Sequence, residues 1–240
     1  MPACFHLLIL LLSTVVSAPD VRTIVHRLET KYRSARTLQA TFLERYFENG
    51  RVVRTEAGVA YFRRPGKMRW EYESPEKNLF LVDGKSAWFY VPADHTVTRV
   101  PAKDSTDWRT PLALLAGEMK LSRVCANLVP AIREKPESSD HVVLLCELRG
   151  AGPEAHQQNS PAPSTQLTYE GEQVFFEVAE NSGELVRVLV RGPAGVAVEF
   201  HFANWQFDPP AGNALFHFVV PPGVAIVNGE LPAVNGGTNP

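Results

Sequence analysis

The chain has 240 residues, of which 45% are hydrophobic and 21% charged, and its 24 Lys and Arg residues nearly balance its 26 Asp and Glu residues. That composition is typical of a globular protein and excludes disordered, collagen-like and coiled-coil chains. Because the chain has no basic excess to neutralise a phosphate backbone, the charge balance also argues against a nucleic-acid partner.

The N-terminal segment carries an uncharged apolar stretch, Leu7 to Val16, followed by the small residues Ser17 and Ala18. A membrane-spanning helix needs about 20 apolar residues, so this stretch is too short to be one. It predicts a secretory signal peptide over residues 1–18 and therefore an exported mature chain. The lack of Lys or Arg before the stretch, and Pro19 just after the cleavage point, leave a buried N-terminal helix or strand as the alternative.

The first element predicted in the mature chain is an amphipathic helix of about 14 residues. Apolar residues recur at helical spacing from Val21 to Tyr32, and charged residues occupy the opposite face. Asp20 is the predicted N-cap. The continuous apolar face predicts that this helix lies on an apolar surface.

From residue 38 onward the spacing of the apolar residues changes to two, which is typical of half-buried β-strands. Asn49-Gly50 predicts a hairpin turn between the first two strands. The clearest strand is residues 67–73, in which Met68, Trp70 and Tyr72 alternate with charged residues. Further strands are predicted at residues 79–82, 87–91, 97–100, 121–128, 141–148, 173–178, 185–191, 196–202 and 216–219.

A second helix is predicted between the strands at 97–100 and 121–128. Thr110-Pro111 has the form of an N-cap followed by proline at the first helical position, and the apolar run Leu112 to Ala116 then ends at Gly117. A helix of less than two turns is not stable alone, so this one must lie against an apolar surface.

Ten or eleven strands with short turns and two helices predict a mainly β fold. This pattern does not suit a doubly wound α/β fold, and it favours one strongly curved antiparallel sheet, a barrel or half-barrel, with helices over its open side. The stretch 150–165 is rich in Gly, Pro, Ser and Gln and predicts a solvated loop within the same domain, because the period of two resumes beyond it.

The side chains assigned to the inner face of this sheet are large and apolar, and they contain no ionisable cluster. They include Phe62, Met68, Trp70, Tyr72, Phe89, Phe175 and Phe200. A closed sheet of this strand number has an interior wider than side chains alone fill, so these residues either pack as a solid core or line a ligand cavity. Such a lining suits an acyl chain better than a polar metabolite.

Cys125 and Cys146 are the two cysteines that remain after the predicted signal peptide. In an exported protein such a pair can form a disulfide, and two buried free thiols are the alternative. The sequence has no Cys/His spacing suited to zinc, no GxSxG or HExxH motif, and seven scattered His residues. These features predict a protein that is not an enzyme and that uses no metal or cofactor.

Several short motifs occur together in this chain. They are residues 56–72, which contain Arg63-Arg64-Pro65-Gly66, then Asp83-Gly84-Lys85, Trp88-Phe89-Tyr90, Thr110-Pro111-Leu112 and the C-terminal segments 180–185 and 216–224. Together they resemble the periplasmic outer-membrane lipoprotein carrier family, LolA. The resemblance covers roughly residues 21–227 and is most specific at 56–116, whereas residues 121–170 match poorly.

The resemblance implies an incomplete antiparallel β-barrel of about eleven strands covered by a helical lid, formed by residues 19–227, with a flexible tail at 228–240. It implies a periplasmic carrier that binds the acyl chains of lipoproteins in an apolar cavity and moves them from the inner to the outer membrane. The implied partners are acylated lipoproteins, a LolCDE-type ABC transporter of the inner membrane and a LolB-type outer-membrane receptor. The carrier would act as a monomer.

The resemblance also implies that Arg64 latches the lid through hydrogen bonds to the lid helix. Alternation places Arg64 on the inner face with Phe62, where its five donors need acceptors such as the carbonyl groups of residues 112–117. An exposed arginine before a turn proline is the alternative. The predicted lid residues are Ile24, Leu28, Pro111, Leu112, Leu114 and Leu115.

Two other functions remain open at this point. The chain could be a sensor-like or adhesin-like domain that recognises lipid or lipoprotein on the same fold without shuttling it, with residues 150–165 and 228–240 as contact surfaces. It could also be an enzyme acting on a lipid, but that function needs an activated nucleophile or a metal, and the sequence shows neither.

Overall fold

The computed structural model describes residues 20–104, 112–117, 119–149 and 173–228. The predicted signal peptide, Pro111, the predicted loop at 150–165 and the tail beyond residue 228 lie outside these residues. The helices and strands are, in chain order, α1 Val21–Arg33, β1 Thr37–Glu48, β2 Arg51–Arg63, β3 Lys67–Ser74, β4 Leu79–Val82, β5 Ser86–Val91, β6 Thr96–Pro101, α2 Ala113–Ala116, α3 Leu121–Val124, β7 Cys125–Pro130, β8 His141–Leu148, β9 Gln173–Ala179, β10 Leu185–Arg191, β11 Val196–Phe207 and β12 Ala225–Asn228. None of the helices within the described ranges is long and apolar enough to cross a membrane.

The twelve strands in the described part of the chain form a single open sheet. Their order is β12-β6-β5-β4-β3-β2-β1-β11-β10-β9-β8-β7, so β12 and β7 form its two edges. The paired strands are antiparallel except for β12, which runs parallel to β6. The predicted mainly β, incompletely closed fold with helices on it is confirmed, with twelve strands where about eleven were expected.

The longest hairpin, β1–β2, forms where the sequence predicts it. Asn49 and Gly50 both adopt positive φ, at 51° and 75°, which is the conformation that this tight turn requires. Glu48 then faces Arg51 across the ladder. The helix α1 also begins as predicted, because the Asp20 side chain accepts a hydrogen bond from the backbone N–H of Arg22.

The main apolar core lies between one face of the sheet, termed the inner face, and the helices. The helix α1 places Ile24, Leu28 and Tyr32 in this core, and the segment around α2 adds Leu112 and Leu115. The prediction that both helices lie on an apolar surface is therefore confirmed for the described residues.

Gly58 allows β2 and β3 to approach closely. A Cβ atom at this position would lie 1.9 Å from the backbone oxygen of Glu71, so a side chain would force the strands apart. We expect Gly58→Ala to lower the free energy of unfolding by about 2 kcal/mol, measured by urea denaturation. Gly212→Ala is the control, because φ at Gly212 is −68° and no atom lies within 4 Å of the added Cβ. Equal stability of the two variants would contradict this account.

Two predicted strands differ from the structure. Residues 121–124 form the single-turn helix α3, and β7 begins only at Cys125, which is joined to Cys146 of β8 by a disulfide with an S–S distance of 2.06 Å. A four-residue helix leaves too few residues for its period to be distinguished from a strand's.

The prediction of a strand at residues 216–219 is also wrong. Residues Asn213–Phe216 form a 3₁₀ turn, and the last strand within the described ranges is β12. Phe216 is buried, and the ring of Phe218 lies 5.5 Å from that of Trp88, on the face of β5 that points away from the inner face. The phenylalanines of this segment therefore pack onto the outer face of the sheet. Their spacing of two residues resembles that of a strand, although the segment does not pair with one.

A buried ionic cluster lies on the outer face at the other end of the sheet. Arg187 donates hydrogen bonds to Glu177 at 2.7 Å and Glu199 at 2.9 Å. The β7–β8 loop covers this cluster, since the backbone N–H of Glu137 donates to Glu177 at 2.7 Å and Lys135 O accepts from Arg187 at 3.4 Å. Buried carboxylates of this kind are stable only while their partners remain.

Candidate functional site

Aromatic side chains from four strands form a continuous wall on the inner face, centred on Trp70. The ring centroid of Trp70 lies 4.8 Å from that of Phe42, 5.7 Å from that of Phe62 and 5.5 Å from that of Phe200. These contacts are edge-to-face, a favourable geometry for aromatic pairs. The wall exists because β1, β2, β3 and β11 each place an aromatic residue on the same side of the sheet.

Most of the predicted lining residues lie on this inner face. Phe62, Met68, Trp70, Tyr72 and Phe200 are buried there with 5% exposure or less, and Phe89 packs against the same core while remaining partly exposed. The structure thus brings these six side chains together on one surface.

Phe175 is the exception, and its placement on the inner face is wrong. It packs with Val143 and Leu189 in a separate small cluster, whereas its neighbour Phe176 belongs to the inner-face core. The sequence Val174-Phe175-Phe176 is apolar on both faces of β9, so alternation alone does not indicate which side points inward.

The predicted lid, α1 together with residues 112–117, packs into the same apolar core as the aromatic wall. Ile24, Leu28, Leu112, Leu114 and Leu115 are all buried in the core that contains the wall. The predicted lid residue Pro111 lies outside the described residues. The side chains of the predicted lid are therefore buried in this core, and we refer to this arrangement as the closed state.

Further contacts fix α1 in the closed state. The hydroxyl of Tyr32 accepts a hydrogen bond from the backbone N–H of Leu185 at 2.9 Å. The carboxylate of Glu29 accepts another from the backbone N–H of Leu121, at the start of α3, at 2.8 Å. Burial raises the pKa of Tyr32 well above its ordinary value.

The guanidinium of Arg64 joins the two parts of the lid. Its Nε donates to the carbonyl oxygen of Gly117 at 2.5 Å, immediately after α2, and its Nη2 donates to that of Tyr32 in α1 at 2.9 Å. Its Nη1 donates to the carbonyl of Ala35 and, at 3.4 Å, to that of Arg33. Burial lowers the pKa of Arg64 from its ordinary value, and these acceptors supply the polar partners that a half-buried cation needs.

The acceptors of Arg64 follow from helix geometry. The last carbonyl groups of a helix have no partner within the helix, and a cation at that end is favoured. The turn after Arg64 adds one backbone contact to the second part of the lid, because Gly66 N–H donates to Ala116 O at 2.9 Å. The residues directly after β2 therefore donate hydrogen bonds to both α1 and the segment around α2.

The inner face also carries a buried carboxylate that the sequence analysis missed. Glu44 is fully buried, and it accepts hydrogen bonds from the hydroxyl of Tyr72 at 2.6 Å and from that of Tyr46. It lies two residues after Phe42 in β1, so alternation places it on the inner face. The two-residue spacing of β1 could have indicated that Glu44 points to the inner face, but a glutamate is an unusual residue at such a buried position.

The sequence is similar to outer-membrane lipoprotein carrier proteins. The family model for the outer membrane lipoprotein carrier protein LolA matches residues 33–138. The carrier protein of Methylococcus capsulatus is 30% identical over 222 residues, which are 90% of this chain and 99% of that protein. The carrier protein of Nitrosospira multiformis is 33% identical over 123 residues, 50% of this chain and 56% of that protein, so this second match spans just over half of its length.

Solved structures that resemble this chain cover most of it at low sequence identity. An uncharacterized conserved protein from Thermus thermophilus has a TM-score of 0.49 at 13% identity, covering 86% of this chain and 98% of its own. A LolA superfamily protein from Nitrosomonas europaea has a TM-score of 0.43 at 10% identity, covering 84% of this chain and 99% of its own.

Proposed function

Because the chain belongs to the LolA family of outer-membrane lipoprotein carrier proteins, we propose that it binds the acyl chains of lipoproteins between its lid and the aromatic wall. The observation that supports this site most strongly is that α1 and the segment 112–117 both accept hydrogen bonds from Arg64 and share one apolar core with the aromatic wall. A lid of this kind covers the wall when the carrier is empty and is displaced when an acyl chain lies there.

Competition between lid and cargo explains how binding stays reversible. Burial of each methylene group contributes about 0.8 kcal/mol, so an acyl chain gains a large gross free energy on the wall. Opening removes the buried leucines of the lid from the same wall, and each costs about 1.5–3 kcal/mol to expose. The net affinity is the difference between these two quantities, which suits a carrier that must also release its cargo.

We propose that the carrier works in the periplasm after removal of residues 1–18, as a monomer whose carrier domain comprises residues 19–227. Its cargo would come from an inner-membrane ABC transporter of the LolCDE type and pass to an outer-membrane receptor of the LolB type. The transfer makes and breaks no covalent bond, so this function needs neither a cofactor nor catalytic residues.

The proposal predicts a soluble complex with an acylated peptide. We expect the mature protein to bind a dipalmitoylated lipopeptide with about one molecule per chain and to bind the same peptide without acyl chains at least tenfold more weakly, measured by isothermal titration calorimetry. The loaded protein should then transfer the lipopeptide to vesicles that carry a LolB-type receptor.

The alternative function, a lipid-sensing domain, gives a different result in the same experiment. A sensor binds the lipopeptide but retains it when receptor-bearing vesicles are added. Retention would therefore contradict shuttling, and equal binding of the acylated and unacylated peptides would contradict the acyl site itself.

A further inference from the structure

The indole N–H of Trp70 has no hydrogen-bond acceptor among the described residues, although the side chain is fully buried. Two other indoles have one, because Trp88 donates to the Asp83 carboxylate at 3.1 Å and Trp205 to Leu185 O at 2.9 Å. Leaving a buried donor unpaired costs about 1–3 kcal/mol, so such a group in a folded protein needs an explanation.

The unpaired donor belongs to the side chain at the centre of the aromatic wall. The rings of Phe42, Phe62 and Phe200 pack on the Trp70 ring, and none of them offers a conventional acceptor. Tyr72, two residues along β3 on the same face, directs its hydroxyl to Glu44. A ligand on the wall would therefore contact an apolar surface built around a side chain whose N–H group has no acceptor among the described residues.

An acyl chain carries the complementary group. Its ester or amide carbonyl is an acceptor that loses water when the chain is buried, and it incurs its own cost if it finds no donor. Pairing this carbonyl with the Trp70 N–H would satisfy two buried polar groups with a single hydrogen bond. A plain alkyl or isoprenoid chain offers no such acceptor.

Building on the proposed carrier function, we propose that Trp70 Nε1 donates a hydrogen bond to the carbonyl oxygen of the cargo's acyl ester or amide. Trp70 is then a specificity-determining residue that favours acyl chains over ether-linked or carbonyl-free chains. The unpaired donor also raises the free energy of the closed state relative to the loaded state, so the same group favours opening of the lid when acylated cargo arrives.

A pair of matched lipids tests this inference. Dipalmitoylglycerol and dihexadecylglycerol have the same chain length and headgroup, but only the first has ester carbonyls. We expect the wild-type protein to bind the ester about three- to tenfold more tightly than the ether, the range typical of one neutral hydrogen bond. Trp70→Phe keeps an aromatic ring but loses the donor, and it should bind both lipids with equal affinity.

Trp88→Phe is the matched control, because Trp88 lies on the outer face and its donor is already paired. This variant should keep the wild-type preference for the ester. Equal binding of the two lipids by the wild-type protein, or a preference that survives in Trp70→Phe, would overturn the inference and leave the carrier function standing. If neither lipid binds to the wild-type protein, the acyl carrier function fails and the inference fails with it.

A spectroscopic measurement keeps the test independent of how well Trp70→Phe folds. The sequence has four tryptophans, so the ¹⁵N-labelled wild-type protein gives four indole N–H resonances, which single Trp→Phe variants assign directly or by elimination. The Trp70 resonance should move downfield when the ester binds, as a new hydrogen bond requires, and much less when the ether binds. The same shift with both lipids would contradict the carbonyl contact.

Discussion

Replacing Arg64 with leucine is expected to slow the release of bound cargo by more than tenfold while leaving cargo uptake intact. In the closed state the guanidinium donates to carbonyl groups of Tyr32, Ala35 and Gly117. Hydrogen bonds to a charged group contribute about 1.5–3 kcal/mol each, and a tenfold change needs only about 1.4 kcal/mol. Arg64→Leu removes these bonds from the closed state alone, so the lid competes less effectively with cargo for the wall.

Release is measured with a fluorescent dipalmitoylated lipopeptide and acceptor vesicles, and uptake with the same lipopeptide in solution. Arg63→Leu is the matched control, because Arg63 neighbours Arg64 but donates to Ala211 O, outside the lid. The release rate of Arg64→Lys should lie between those of the wild type and Arg64→Leu. Lysine keeps the charge, but it lacks the planar guanidinium that donates to several acceptors at once. Release at the wild-type rate in Arg64→Leu would rule out the latch.

The inner face was predictable wherever only one side of a strand is apolar. In residues 67–73, apolar and charged residues alternate strictly, and Met68, Trp70 and Tyr72 all lie on the predicted side. Arg64 follows Phe62 by two residues, so the same alternation places it on the inner face, within reach of the lid carbonyls. These features depend on local periodicity, which the sequence states directly.

Other features depend on contacts that no local pattern encodes. Phe175 and Phe176 are both apolar, and which of them points to the inner face depends on how β9 pairs with its neighbours β8 and β10. The segment after Asn213 has a strand-like period because it lies on the outer face of the sheet. The unpaired donor of Trp70 is a property of the surrounding side chains in three dimensions, so sequence reasoning could place the indole but could not find its missing partner.

Replacing Arg187 with methionine should destabilise the folded protein by about 3–5 kcal/mol, the cost of breaking a buried ion pair by removing one partner. Methionine preserves much of the volume but leaves Glu177, which is fully buried, and Glu199, which is 4% exposed, without their shared cation. Urea unfolding at pH 7 measures the loss. Lys31→Met is the control, because Lys31 pairs with Glu184 near the surface and should contribute less than about 1 kcal/mol.

The pH dependence identifies charge as the cause. Burial raises the pKa of Glu199, but hydrogen bonds from His201 and Arg187 and the positive charges of His201 and Arg45 outweigh it and lower the pKa to about 2, from an ordinary value of 4.5. A carboxylate with a lowered pKa in the folded state stabilises the protein above pH 4.5, and this contribution of about 3 kcal/mol is lost as the pH falls toward 2.

Arg187→Met should therefore differ most from the wild type at neutral pH and less in acid. Without the guanidinium, the pKa of Glu199 rises toward its ordinary value, so the variant has less electrostatic stability to lose between about pH 5 and pH 2. The difference in unfolding free energy between the two proteins should shrink over that interval. A difference that stays constant with pH would mean that Arg187 stabilises the outer face through the packing of its side chain and not through its charge.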